Sequence, residues 1–382
     1  MTASSYRGLT WNHPRGHVAL ERAAEQARAQ GLSLQWERQP LEGFESHPIE
    51  ELARRYDIIV LDHPHIGDAV QADCLQPLEA LFDGATLAAW QAQSIGRTFE
   101  SYRYAGEHWA LPLDAASQVA ACRSDRLDGP PPVTWSETIA FARRHPVALS
   151  LAGPHALLTF FSISAAHGDV PAASDAGDLF AGDGAAEAWE LLRELHALSF
   201  KGWAHCNPIG LLEALARGAA EAVYCPLVFG YVNYAVATGE RRAISFHDVP
   251  AGPYGRLGSV LGGTGLAVSR HAVVNEALRI HLAALLSPAM QRDFIAFADG
   301  QPSARAAWSD ARVNAACGNF FAQTQATLER AVVRPRHPGY VPFQTAASEV
   351  VRDALAREMP ALKLLASLQL LYRQHRPAIS EN

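Results

Sequence analysis

The sequence DIIVLDHPHIG, residues 57–67, decides the fold class. Its aliphatic run, 57–61, is typical of a β-strand that is buried on both faces of an α/β sheet. The run ends at Asp62, after which proline and glycine break the pattern. The preceding residues predict, in order, a strand at 6–11, a loop at 12–16, an Ala-rich helix ending near Gly31, a strand at 32–36 and a short helix at 49–55. This alternation predicts a parallel sheet that would bind a ligand at the carboxyl ends of its strands.

A second α/β pattern begins after Asp114. Its strongest breaker is the run Gly129–Pro132, and Thr134 is predicted to cap a helix together with Glu137. The other predicted elements are a hairpin arm that leads into a strand at 106–113, strands at 146–151, 222–225 and 259–269 (the last interrupted by a glycine pair), and helices at 185–199, 208–217, 273–298 (two helices) and 349–373.

The two patterns follow each other without a flexible linker. The sequence therefore predicts two lobes that are joined by short ordered crossovers, with a hinge and a ligand cleft between them. We expect lobe 1 to comprise 1–115 plus 266–305, and lobe 2 to comprise 116–265 plus 306–382. Each lobe should contain a mostly parallel sheet flanked by helices.

Composition excludes several classes of protein. Of the 382 residues, 49% are hydrophobic and 19% are charged, which is typical of a globular protein with large cores rather than of a disordered or fibrous chain. The net charge is −7 and the basic residues are dispersed. Because nucleic-acid binding calls for a basic stripe, a nucleic-acid partner is not expected.

The sequence gives conflicting indications of the compartment. No apolar run reaches the roughly 18 residues that a membrane span needs, so no membrane insertion is expected. The first residues, MTASSYRGLTWNHPRG, lack the pattern of a secretory signal. The five cysteines are scattered, without a CxxC pair, which favours reduced thiols. These features leave a cytoplasmic location open.

Six segments resemble, in order, the family 1 extracellular solute-binding proteins, the carbohydrate-type binding subunits of ABC importers. They are YAGEHWALP (104–112), CRSDRL with PPPVTWSETIAFAR (122–143), RGAAEAVY (217–224), GGTGLAVS (262–269), QPSA (301–304) and RPRHPGY (334–340). Each motif alone is weakly specific, but the six in order span most of the chain after residue 104. Thr264 departs from the family, which has an aromatic residue after the glycine pair.

The resemblance implies the α/β, two-lobed periplasmic-binding-protein type II fold. It further implies a monomer that closes on a small polar solute, such as a sugar, and delivers it to an ABC transporter permease. No catalysis and no cofactor are expected, and the location would be periplasmic.

Polar side chains that follow predicted strands are the first candidates for ligand contacts. Asn12 and His13 follow the first strand, and Asp62 and His63 follow the strand at 57–61. The carboxylate of Asp62 would accept a hydrogen bond from the ligand. The alternative is that Asn12 and Asp62 cap turns and that His13 is solvated.

The other candidate ligand contacts lie near the crossovers and in lobe 2. Gly263 would let a backbone approach the ligand, Thr264 would offer a hydroxyl, and an arginine would matter for an anionic ligand. Aromatic candidates could equally belong to the core. The full set of further candidates is Trp109, Asp114, Tyr224, Phe229, Gly263, Thr264, Trp308 and Arg334.

Two other functions remain open on the sequence alone. A metal-ion-binding protein would use His13, His63 and His65, since imidazole suits zinc or iron, although prolines and glycine interrupt the spacing. An enzyme on the same fold would use a nucleophilic cysteine, either Cys122 or Cys225.

Overall fold

The computed structural model describes residues 5–173, 178–218 and 222–376. They form two compact units. Unit 1 takes in the described residues of Met1–Ala115, Gly262–Ala316 and Arg336–Pro338. Unit 2 takes in those of Ala116–Leu261, Cys317–Pro335 and Gly339–Asn382. The chain returns to unit 1 at Gly262 and leaves it after Ala316. In the division expected from the sequence, this second segment of lobe 1 runs from 266 to 305.

The first passage of the chain through unit 1 alternates strands and helices. The elements are β1 (Ser5–Trp11), α1 (Pro14–Arg28), β2 (Ser33–Gln39), α2 (Leu41–Ser46), α3 (Ile49–Ala53), β3 (Ile58–Leu61), α4 (Ile66–Gln71), α5 (Gly84–Gln93), α6 (Thr98–Ser101), β4 (Arg103–Tyr104), β5 (Glu107–His108) and β6 (Leu111–Cys122). The last strand continues into unit 2.

Unit 2 is richer in helices. Its first passage contains α7 (Trp135–Ala142), α8 (His155–Ala166), α9 (Gly184–Leu198), α10 (Pro208–Ala216), β7 (Tyr224–Phe229) and β8 (Ser245–His247). The chain then forms β9 (Leu261–Val268), α11 (Glu276–Leu285), α12 (Arg305–Trp308) and α13 (Ala311–Ala316), followed by α14 (Phe320–Glu329), α15 (Tyr340–Ala356) and α16 (Ala361–His375).

The sheet of unit 1 is parallel except for its returning strand. β1 pairs in parallel with β2 and β3, and β9 pairs antiparallel with β3. All four residues of β3 are buried, as the aliphatic run at 57–61 predicts. The buried face of α1 is mostly alanine, which lets this helix pack closely on the sheet.

In unit 2, β6 pairs antiparallel with both β7 and β8, so the mostly parallel sheet expected for each lobe is found in unit 1 but not among these strands. The first unit-2 helix predicted from sequence, α7, begins with the predicted capping box: Thr134 accepts from the backbone of Glu137, whose side chain bonds back to the cap. All twelve residues of α8 are buried, so this helix lies within the core.

A buried polar network fixes α8 to β6 and to the residue that precedes β9. Ser162 donates to Gln118 Oε1 on β6 at 2.6 Å, and its oxygen accepts from the backbone N–H of Val260 at 3.0 Å. The Gln118 amide donates to Thr159 at 3.3 Å. Because buried polar groups are costly when they are unpaired, these bonds specify how α8 packs.

Some predicted elements were wrong in detail. The loop predicted at 12–16 ends at His13, because proline at the first helical position and the His13 side chain start α1 at Pro14. The strand predicted at 146–151 reduces to one bridge, between Val147 and Tyr224. The glycine pair does not interrupt β9.

The helix predictions near the C-terminus also needed correction. The helix predicted at 349–373 is two helices, α15 and α16, because Glu358 adopts a left-handed φ of 49° and Pro360 starts the next helix. The second helix predicted within 273–298 is a single π-helical turn, Met290–Phe294, and a short 3-10 turn. Part of the motif RGAAEAVY, residues 219–221, lies outside the described residues.

His281 on α11 predicts a pH dependence of stability. Its side chain is 7% exposed, and burial lowers its pKa to about 4. The unfolded chain, with a pKa near 6.5, therefore takes up a proton first as the pH falls. We expect the free energy of unfolding to drop between pH 6.5 and pH 4, by on the order of 3 kcal/mol from this residue.

Urea unfolding at several pH values measures this effect. The variant His281→Leu should lose much less stability than the wild type over that range. His205→Leu, at an exposed histidine, is the matched control and should behave like the wild type. An unchanged pH dependence in His281→Leu would contradict the prediction.

Candidate functional site

The carboxyl ends of β1 and β3 meet at one edge of the unit 1 sheet, because these strands are parallel. The antiparallel strand β9 starts at the same edge, since Gly265 lies opposite Leu61. Asp62 and Thr264, each one residue beyond this pair, therefore lie side by side. We call this region the carboxyl edge and define it as Trp11–Arg15, Asp62–His65 and Gly263–Gly265, together with Asp114.

The first segment of the carboxyl edge joins β1 to α1. Trp11 is 3% exposed and packs against Phe44, with ring centroids 5.2 Å apart. A Cβ on Gly16 would lie 2.4 Å from the Trp11 ring, so only glycine lets α1 start this close to the indole. His13 is buried, and its Nδ1 accepts from the backbone N–H of Arg15 at 3.2 Å. Asn12 is exposed.

A buried ion pair is the strongest interaction of the carboxyl edge. The Arg15 guanidinium donates through Nε to Asp114 Oδ2 at 2.9 Å and through Nη2 to Asp114 Oδ1. Both side chains are 4% exposed. The Arg15 Cζ atom also lies 6.0 Å from the centroid of the Trp11 ring. Because Arg15 is in the first turn of α1, this contact brings Asp114 to the end of β1.

The second segment of the carboxyl edge follows β3. Asp62 is half-buried, and its Oδ1 accepts from the backbone N–H of His63 at 2.8 Å, which caps the 3-10 turn His63–His65. His63 Nδ1 lies 3.0 Å from the same oxygen. The His63 ring is fully buried and meets Tyr102 edge-on. Asp62 thus caps a turn, as in the alternative interpretation, and still presents part of its carboxylate to solvent.

The third segment of the carboxyl edge, Gly263–Gly265, lies in the first half of β9. Gly263 is half-buried and has a φ of 99°, in the left-handed region that favours glycine. Thr264 is 3% exposed. A Cβ on Gly265 would lie 2.8 Å from Tyr102, so this glycine lets the tyrosine pack against the strand.

Two further unit 1 candidates have structural contacts. The indole N–H of Trp109 donates to the Tyr104 carbonyl at 2.9 Å, and that of Trp308 donates to the Pro302 carbonyl at 2.7 Å. Both rings are buried. These contacts support a core role for each tryptophan.

The predicted site residues of unit 2 are also largely buried. Tyr224 is fully buried, its ring packs edge-on against Phe141, and burial raises its pKa. Phe229 is half-buried and meets the His155 ring edge-on at 5.8 Å. Arg334 donates to the Leu261 carbonyl at 3.3 Å and to Gln344 Oε1 at 3.1 Å. As ligand contacts these three residues stay predictions.

Sequence reasoning missed Arg15, although two signals point to it. A basic residue in the first turn of a helix opposes the helix dipole, and α1 has no acidic residue there. Asp114 is a lone carboxylate in a strand whose twelve residues are all buried. A buried guanidinium and a buried carboxylate each need a partner of opposite charge, so the two signals together suggest that Arg15 pairs with Asp114.

Comparison with known proteins gives structural matches only. No protein-family model matches the sequence, and no curated protein matches it. Among solved structures, MalE3 of T. maritima with bound maltose has a TM-score of 0.79 at 17% identity, over 97% of this chain and 99% of its own. An ABC transporter solute-binding protein from Agrobacterium radiobacter in complex with ribitol has a TM-score of 0.79 at 18% identity, over 97% and 98%.

A third similar structure is UgpB from Mycobacterium tuberculosis in complex with glycerophosphocholine. Its TM-score is 0.76 at 15% identity, over 97% of this chain and 99% of its own. Matches that cover both chains nearly end to end at this similarity establish the fold. The predicted fold class is confirmed: the chain has the α/β fold of the two-lobed periplasmic-binding-protein type II proteins.

Proposed function

We propose that this protein is a family 1 solute-binding protein that captures a small polar solute for an ABC importer. The observation that carries the proposal is the carboxyl edge, where Asp62 and Thr264 lie at the end of β3, Asn12 follows β1, and Arg15 pairs with Asp114. In open α/β sheets, ligands bind outside the carboxyl ends of the strands. Hydrogen-bonding groups that are held in place by the fold are suited to replace the water around a polar ligand.

The charges at the carboxyl edge favour an uncharged ligand. Both oxygens of Asp114 bond to Arg15, so the positive charge of Arg15 is already compensated. Asp62 adds a partly exposed carboxylate. An anionic solute would therefore find no uncompensated cation in the Arg15–Asp114 pair, whereas hydroxyl groups of a sugar or polyol can donate to Asp62 and accept from nearby N–H groups.

Two of the three ligands reported above support this class of solute, whereas the third, glycerophosphocholine, carries charged groups. Maltose and ribitol are uncharged polyhydroxylated molecules, and the proteins that bind them share the fold. The same similarity supports an ABC permease as partner, a non-catalytic role and a location outside the cytoplasm, and we further propose that the protein is a monomer. No helix among the described residues is long and apolar enough to cross a membrane.

Burial of the two candidate nucleophiles argues against the enzyme alternative. Burial raises the thiol pKa of both Cys122 and Cys225 to about 12, and both side chains are fully buried. At neutral pH neither thiol forms the thiolate that nucleophilic catalysis needs. Nothing in these two sites favours an enzyme.

The metal alternative is not supported by the geometry. Within residues 5–173, 178–218 and 222–376, no three His, Cys, Asp or Glu side chains form a group that could hold a metal ion. His13 caps α1, and His63 packs against Tyr102. The histidines at the carboxyl edge are thus structural parts of the turns that form it.

Solute binding should raise the melting temperature, because the folded protein binds the solute and the unfolded chain does not. We expect at least one of ribitol, D-mannitol and maltose to raise it by a few degrees at millimolar concentration, and the monophosphate of that solute to give a smaller shift. Thermal-shift titration measures both. A larger shift with the phosphorylated compound would contradict the uncharged class, and no shift with any sugar or polyol would contradict the function.

Removing one member of the buried ion pair should destabilise the protein. Asp114→Ala leaves the Arg15 guanidinium without its carboxylate, and we expect the free energy of unfolding to fall by about 3–5 kcal/mol. The double variant Arg15→Met with Asp114→Leu removes both charges and should recover most of this stability while losing solute binding. Urea unfolding and calorimetric titration test the two parts, and normal binding by the double variant would place the site elsewhere.

The cysteines should react slowly with thiol reagents at neutral pH. Burial raises the pKa of the Cys74 thiol to about 11 and of Cys122 and Cys225 to about 12. Cys74 and Cys206 are the partly exposed cysteines among the described residues. Cys206 is the less buried of the two, so it should react first. Labelling followed by peptide mass spectrometry checks the order. Fast labelling of Cys122 or Cys225 in the folded protein would revive the enzyme alternative.

A further inference from the structure

The side-chain hydroxyl of Thr264 is unusual because it is buried and unpaired. It is 3% exposed, and its Oγ1 has no hydrogen-bond partner within the described part of the chain. A buried hydroxyl without a partner destabilises the folded state, and most threonines of this protein avoid this cost. Thr324 on α14, for example, is equally buried and donates to the Phe320 carbonyl at 2.8 Å.

The position of this hydroxyl is at the carboxyl edge. Gly265, the next residue, pairs with Leu61, so Thr264 lies beside Asp62, whose carboxylate is partly exposed. Gly263 on the other side carries no side chain and has a left-handed φ of 99°. The unpaired hydroxyl therefore belongs to the edge of the sheet at which Asp62 follows β3.

We infer that Thr264 is a specificity-determining residue whose side chain forms a hydrogen bond with a hydroxyl group of the bound solute. The inference rests on the proposed function. A threonine hydroxyl both donates and accepts, as does a hydroxyl of a polyol, so the two groups satisfy each other in either direction. The solute then supplies the hydrogen-bond partner that the fold does not give to Thr264 Oγ1. Binding thus removes the unfavourable free energy of the unpaired hydroxyl in the free protein.

The variant Thr264→Val tests this inference, because it removes the hydroxyl and keeps the branched shape. We expect the affinity to fall at least about tenfold, because a hydrogen bond to the solute is lost. The ligand for this test is whichever of ribitol, D-mannitol and maltose binds the wild type. The melting temperature of the free variant should rise by about 2–4 °C, because the unpaired polar atom is gone. Thr264→Ser, which keeps the hydroxyl, should recover most of the affinity.

Thr324→Val is the matched control. Its hydroxyl has a partner in the fold, so this variant should lower the melting temperature and leave the affinity unchanged. If Thr264→Val binds the solute as well as the wild type, or if its free form melts at a lower temperature than the wild type, the inference is wrong. If the wild type binds no sugar or polyol, the proposed function itself fails, and the role of Thr264 fails with it.

Discussion

The antiparallel pairing of β9 on β3 is the constraint on which the candidate site depends. It places Gly265 opposite Leu61, so that a strand entered late in the sequence completes a sheet begun at the N-terminus. Register in a buried sheet is strongly specified, because a slip by one residue turns apolar side chains away from the core. Here the register is further fixed by Gly265, where any side chain would collide with Tyr102. The position of Thr264 beside Asp62 follows from this pairing alone.

The buried charges of unit 1 give the site its chemical character. A guanidinium and a carboxylate that bond to each other in a buried place are held rigidly, and they present fixed donors and acceptors without a net charge. Such an arrangement suits a ligand that has many hydroxyl groups and no formal charge. A hydrophobic pair of the same size could make the fold equally stable, so stability alone does not explain the buried ion pair at this edge.

Much of the fold could be predicted from the sequence. The aliphatic run at 57–61 and the order of strands and helices were sufficient for an α/β chain of two lobes, whereas the type II fold was implied by the resemblance of six segments to a known family. The helix break near Glu358 was missed because Pro360, the local signal of a helix boundary, was not taken into account. The left-handed φ of Glu358 itself has no glycine to mark it. The start of α1 was misplaced because Pro14 was interpreted as a breaker, although proline is favoured at the first helical position.

The candidate site was predictable only in part. Asn12, Asp62 and Thr264 could be placed at one edge of the sheet, because Asn12 and Asp62 follow strands and Thr264 lies in β9 beside the end of β3. The Arg15–Asp114 pair was not found, because a single sequence does not show which distant charges meet. Nor does it show that the Thr264 hydroxyl has no partner in the fold whereas the Asp62 carboxylate caps a turn.

Hydrogen–deuterium exchange with and without a bound polyol or sugar tests the central claim most directly. If the solute binds at the carboxyl edge, amides in the segments 12–17, 62–68 and 263–266 should exchange more slowly when it is bound. Protection that is confined to other parts of the chain, with these three segments unchanged under saturating solute, would contradict the account.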